Sequence, residues 1–270
     1  MQNNESMPTE SGLPEQPALI SELPPAPRPS QVWGGWATFG LGCAIAGGWL
    51  ICQLVVTIVY ALRQIAGNPG INVTQLAQSV QADAAFLSLV TIISAVVGLG
   101  LIVVFILAKR NSKITDYLAI KKTSIKYILI ALGVTLLLVL VELLISINSN
   151  TESQFSNDMV TAYKNSAAPY LLWIAIVLVA PLFEEAFFRG FLYAGFAQSR
   201  LRAPGAIVLT ALAWAAMHAS QYGIIDLTLI FVVGIALGTM RWRTKSIWNC
   251  LIMHVLFNAA AMIELALLNH

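Results

Sequence analysis

No charged side chain interrupts residues 84–108. As a helix that run would rise about 37 Å at 1.5 Å per residue, enough to cross the roughly 30 Å hydrocarbon core of a bilayer. Lipid offers no water to backbone amides, so such a run is committed to helix before any side-chain detail matters. Comparable apolar stretches recur at 34–62, 127–147, 204–220, 224–240 and 246–266, and another begins near Pro169 and ends before Arg200. Only 10% of the 270 residues are charged and 58% are hydrophobic, whereas a soluble domain carries about 25% charged residues. The expectation is an all-α, polytopic transmembrane bundle of about seven spans. Pro181 lies inside the fourth span and would make eight by splitting it. Gly40, Ala44 and Gly48 recur every four residues in the first span, and Gly234 and Gly238 in the sixth. Both spacings suit close helix packing.

The connectors set the orientation. Arg28, the cluster Lys109, Arg110, Lys113, Lys121, Lys122 and Lys126, then Arg200, Arg202, Arg241, Arg243 and Lys245 all fall on one side. The other side keeps only Arg63 and Lys164. Positive charge marks the cytoplasmic face, so the N-terminus is inside and a seven-span chain ends outside. This sign points to a bacterial cytoplasmic (inner) membrane or an equivalent organelle membrane. The same clusters, short and set between apolar runs, form no nucleic-acid surface; their partner is the lipid bilayer. Residues 1–30 hold seven prolines with Glu5, Glu10, Glu15 and Glu22, a composition expected to be a disordered tail. They also lack the basic start and apolar core of a cleavable signal. Residues 34–168 then read as three spans with a basic cytoplasmic connector, and 169–266 as the half that carries the chemistry. Cys43, Cys52 and Cys250 match no disulfide or metal spacing and read as small apolar residues.

The stretch Pro181-Leu-Phe-Glu-Glu-Ala-Phe-Phe-Arg-Gly-Phe191 places two carboxylates and a guanidinium inside an oily helix. Each costs about 2.5–3.5 kcal/mol at the bilayer centre on insertion scales, so each needs a partner or a task. Glu185 and Arg189 are i,i+4 and can pair across one turn. Glu184 points about 100° away and has no local partner. Other polar groups at comparable depth are His218, His254 and Asn258. Counted from the cytoplasmic helix ends, Glu184 and His218 lie roughly 20 Å in, Asn258 roughly 18 Å and His254 roughly 12 Å. A carboxylate and a histidine that meet in one layer can activate water, and a second histidine with an amide can stabilise an oxyanion. That set describes amide hydrolysis without a covalent intermediate. No Gly-x-Ser-x-Gly elbow is present, and Cys250, four residues before His254, lacks a second activator. Taken singly the residues have plainer readings: Glu142 and the pair His254–Asn258 as helix-to-helix hydrogen bonders, Trp214 as packing, Glu184 as the proton relay of a small transporter.

Taken together, Glu184-Glu185-Ala-Phe-Phe-Arg189, Trp214-Ala-Ala-Met-His218 and His254-Val-Leu-Phe-Asn258 resemble the three motifs of the CAAX prenyl protease and bacteriocin-processing intramembrane proteases, also called the Abi or CPBP family. Order and spacing match over roughly residues 169–262. Trp214, where that family usually has phenylalanine, is the one departure and touches pocket shape. The resemblance implies a membrane endopeptidase. Glu184 would activate water with His218, and His254 with Asn258 would form the oxyanion site. Glu185 and Arg189 would support the motif helix, and Phe188 and Trp214 would border the substrate pocket. Its substrates would be peptides or proteins, prenylated at the C-terminus or bacteriocin precursors, with an apolar groove opening sideways to lipid near Phe187, Phe188 and Trp214. The favoured expectation is a glutamate-type enzyme with no metal cofactor. A zinc enzyme would use Glu184, His218 and His254. Outside hydrolysis, the readings are a non-catalytic bacteriocin-immunity or scaffold protein and a proton-coupled transporter. A transporter should show repeats with matching helix breaks, and none is visible.

Overall fold

The computed structural model describes residues 31–148 and 154–267. The proline-rich tail 1–30 and the terminal His270 lie outside the described residues. Among those described, ten helices and no strand are present. They are α1 (Gly35–Gly67), α2 (Val73–Ala82), α3 (Ala84–Ala108), α4 (Ile114–Tyr117), α5 (Ile125–Asn148) and α6 (Gln154–Lys164), then α7 (Pro169–Ala197), α8 (Arg202–Met217), α9 (Ile224–Thr244) and α10 (Trp248–Leu267). The protein is an integral membrane helical bundle. Six helices (α1, α3, α5, α7, α9 and α10) are long and apolar enough to cross a bilayer. Large apolar side chains such as Leu50, Leu54, Leu136 and Leu137 point outward from α1 and α5, the inverse of a water-soluble fold and suited to lipid.

The fifth expected span, 204–220, is shorter than its sequence suggests. Helix α8 is apolar but has 16 residues and stops at Met217, about 24 Å of rise. His218 leaves the helix with φ −95° and ψ 0°, and the polar run Ser220-Gln221-Tyr222-Gly223 leads into α9. Between the longer helices, α2 opens with a reciprocal cap in which Asn72 Oδ1 accepts from the Gln75 amide at 2.9 Å and Gln75 Oε1 accepts from the Asn72 amide at 3.1 Å. Asp83 then caps α3 through the Phe86 amide and accepts from the Tyr60 hydroxyl at 2.6 Å, tying α1 to α3.

Pro181 does not split α7. The backbone keeps right-handed helical dihedrals at Trp173, Ile174, Val179, Ala180, Glu184 and Glu185. Two wide π-helical stretches, Ile174–Val179 and Glu185–Leu192, make this possible. A proline ring collides with the carbonyl four residues back, here that of Val177, and a wide turn at that place moves the carbonyl aside. Such turns are also frequent at functional sites.

The close-packing stripe on α1 is corrected in part. Gly40 has open space around it, and Ala44 is exposed. The helix instead turns Thr38, Gly42 and Ile45 inward. A Cβ on Gly42 would lie 2.6 Å from Leu192, and one on Gly48 2.6 Å from Leu101. Of the expected stripe, Gly48 packs closely while Gly40 and Ala44 do not. On α9 the expected residues do pack closely: a Cβ on Gly234 would meet Ala211 at 2.9 Å, and one on Gly238 would meet Ile207 at 3.0 Å. This contact holds α8 against α9 beside the motif helix.

Candidate active site

On α7, Glu185 Oε1 accepts from Arg189 Nη1 at 2.8 Å, the expected i,i+4 pair. Both side chains are sealed, at 1% and 0% exposure. Arg189 also reaches the Gly234 carbonyl through Nη2 at 3.3 Å, a contact that the small residue on α9 permits. Its guanidinium sits 4.7 Å from the Trp214 ring centre. The Arg189 carbonyl in turn accepts from Arg241 Nε at 3.1 Å. Arg241, which the sequence offers as a connector charge, is therefore a buried brace between α9 and α7. Two atoms of the pair, Glu185 Oε2 and Arg189 Nε, have no hydrogen-bond partner among the described residues. Unmade bonds of this kind cost about 1–3 kcal/mol each, so the pair is held in place by its surroundings rather than by ideal geometry.

His254 on α10 lies between the two carboxylates. Its Nδ1 is 2.8 Å from Glu185 Oε1, and its Nε2 is 3.8 Å from Glu184 Oε2. A carboxylate only accepts, so the first contact is an Nδ1–H donation. That bond orients the ring toward Glu184, as a second partner commonly does for a working histidine. Glu185 thus has two cationic or donor partners rather than the single one read from the sequence.

Glu184 is not left facing open space. Its Oε2 accepts from Trp214 Nε1 at 2.5 Å. The indole is the meeting point of the site: His218 stands edge-on to it at 5.4 Å between ring centres, and His254 edge-on at 5.2 Å. His218 Nδ1 lies 2.9 Å from the Trp214 carbonyl one turn earlier, so that nitrogen donates and Nε2 is left as the basic one. Tyr222 follows, with ring centres 6.1 Å from His218. Sequence reading passed over Tyr222, although it is i+4 from His218. Burial pushes its hydroxyl pKa above the ordinary tyrosine value, and the negative charges of Glu142, Asp226 and Glu184 push the same way.

Asn258 is one turn further along α10 than His254. Its amide donates to the Ile176 carbonyl at 2.9 Å. The backbone explains why that carbonyl needs a donor. Ala180 N–H bonds to Ala175 O, an i→i−5 step, and the next donor in that register is residue 181, a proline without an N–H. Asn258 supplies the missing bond from another helix. Phe188 and Trp214, expected beside a substrate groove, are buried, as is Phe187. Phe187 stands edge-on to Phe188 at 4.9 Å. These rings form a wall behind the polar groups. Cys250 is fully buried with Sγ 3.3 Å from the Leu237 carbonyl, consistent with packing.

The zinc alternative depends on how the donors are placed. Among the described residues no three His, Cys, Asp or Glu side chains converge as a metal site requires. Within the trio Glu184, His218 and His254, the indole holds Glu184 Oε2, Glu185 holds His254 Nδ1 and a backbone carbonyl holds His218 Nδ1, so the remaining donors are the second Glu184 oxygen and Nε2 of each histidine. These donors are not drawn together here, and no step below is routed through a metal.

No curated protein and no solved structure matches the chain. Residues 166–260, about a third of the chain, match a family model described as Type II CAAX prenyl endopeptidase Rce1-like, and this segment carries Glu184, His218, His254 and Asn258.

Proposed function

We propose that this protein is an intramembrane endopeptidase that hydrolyses a peptide bond with a water activated by Glu184 and His218. The convergence of Glu184, His218 and His254 around the Trp214 indole is the observation that carries this reading. With one oxygen of Glu184 held by the indole, the other is available to a water. Nε2 of His218 offers that water a second acceptor. As the water oxygen bonds to the substrate carbonyl carbon, its proton passes to Glu184 and the carbonyl electrons move onto oxygen. His254 Nε2–H, in the imidazolium form, and the second amide hydrogen of Asn258 donate to this oxyanion. The C–N bond then breaks, and the leaving nitrogen takes the proton that Glu184 held. General-base assistance of this kind contributes about 10²–10⁴-fold. Glu185 and Arg189 act as positioning residues that fix the His254 ring and the motif helix. Phe188 and Trp214 back the substrate site, and the family description makes prenylated peptides one class of substrate to try. The membrane is the bacterial cytoplasmic membrane or its equivalent.

The reading is tested by incubating purified protein in detergent with reporter peptides, prenylated and not, and identifying products by mass spectrometry. Internal cleavage that persists after chelator treatment supports the metal-free mechanism. Cleavage that is lost with chelator and restored by zinc would overturn that mechanism while keeping the protease. Intact peptides throughout would overturn both.

A further inference from the structure

His218 sits where the helix no longer fixes its backbone. Its amide still donates to the Ala215 carbonyl at 3.0 Å, but φ −95° and ψ 0° place it past the last helical residue of α8. That bridge region is sparsely populated and recurs at active sites. A side chain there depends on its neighbours for a fixed direction. The chain supplies one such neighbour by turning back at once. The His218 carbonyl accepts from the Gln221 amide at 3.0 Å and from the Tyr222 amide at 3.3 Å. This turn carries the Tyr222 ring to His218, with 6.1 Å between centres and 40° between planes.

The imidazole is thereby bracketed by aromatic rings at i−4 and i+4. Trp214 stands edge-on at 5.4 Å and 77°, and its carbonyl accepts the Nδ1–H at 2.9 Å. Both ring separations fall in the range of roughly 4.5–7 Å in which aromatic pairs attract. One hydrogen bond fixes where Nδ1 points and leaves the ring free to swing about that bond. The tyrosine ring limits the swing. Its hydroxyl lies within electrostatic reach of Glu142 on α5, Asp226 on α9 and Glu184 on α7. Burial and these three charges keep the phenol protonated, so it meets the carboxylates as a donor. Glu142, which takes no part in the hydrolysis, borders the site through this hydroxyl.

We propose that Tyr222 is a positioning residue for the reaction, its ring holding His218 so that Nε2 faces the water on Glu184. The proposal rests on the protease reading above. Without that ring the imidazole is free to leave the Trp214 carbonyl and to take the other tautomer. That tautomer carries its proton on Nε2 and has no acceptor there for the water.

Nitrogen NMR of the purified full chain, with ¹⁵N-labelled histidine, tests the role without needing catalysis. The chain has three histidines, and His218→Gln assigns the signal of His218 by its loss. The unmodified protein should show His218 protonated on Nδ1. Tyr222→Phe, which keeps the ring, should retain this signal and about a third or more of kcat. Tyr222→Leu should show both tautomers and lose about tenfold or more in kcat, with KM within about twofold. If Tyr222→Leu does not accumulate, Tyr222→Met takes its place with the same expectations. A His218 signal in Tyr222→Leu identical to that of the unmodified protein would overturn the proposal, as would an unchanged kcat. A Tyr222→Phe protein as slow as Tyr222→Leu would overturn it too, because the hydroxyl and not the ring would then carry the effect. Peptides left intact by the unmodified protein would instead sink the protease reading, while the tautomer signal would still report whether Tyr222 holds His218.

Discussion

Trp214 is the residue at which this protein departs most informatively from the motif pattern that it resembles. Phenylalanine at that position could fill the same space, but only the indole has an N–H to give to Glu184. A hydrogen bond to a charged group contributes about 1.5–3 kcal/mol. Trp214→Phe should therefore lower kcat by about tenfold or more with KM little changed. Equal kcat values for the two proteins would show that the indole only packs. The catalytic candidates themselves were legible in the chain, because a charged or imidazole side chain in an oily helix is conspicuous. The link through Trp214 was not, since the direction of a ring nitrogen depends on how α8 is rotated against α7. The second partner of Glu185 was hidden for a related reason: spacing along α7 reveals Arg189 but says nothing of which residue on α10 lies opposite.

At the scale of helices, Pro181 and Asn258 form one device. The proline leaves the Ile176 carbonyl without a backbone donor, and Asn258 restores the bond across α7 and α10. Asn258→Ala should destabilise the folded protein by about 1–3 kcal/mol, the usual cost of a buried unmet acceptor. Pro181→Ala returns an N–H to the helix, so Asn258→Ala should cost less in that background. Thermal unfolding in detergent, done as a double-mutant cycle, measures the coupling. Equal costs in both backgrounds would mean that the Ile176 contact is incidental. Activity read alongside separates this role from oxyanion stabilisation, because Pro181→Ala can rescue the stability and not the rate. Helix existence and most boundaries were readable from hydropathy. The continuity of α7 through Pro181 was not, because the accommodation lies in wide turns that no sequence rule locates. Which small residues of α1 pack closely was hidden for a similar reason. Spacing gives the period, and the neighbour decides which side is used.

For the whole molecule, lipid explains why the exterior is oily and why the polar residues gather at one depth. The core that joins Ile45 and Ala95 of the first helices to Phe183 and Trp214 of the motif half makes the bundle a rigid frame for a few side chains, and rigid frames favour preorganised hydrogen-bond donors. The sign of the connectors was clear from charge alone, while the shortness of α8 depended on its ending at Met217, a boundary set by the polar run that follows it. The most direct measurement is the rate at which purified protein in detergent cleaves a reporter peptide, compared with Glu184→Gln. Glutamine keeps an oxygen for the Trp214 N–H but cannot take a proton from water. The account predicts an unchanged melting temperature and a loss of cleavage of at least 10²-fold; a Glu184→Gln protein that cleaves at the unmodified rate would contradict it.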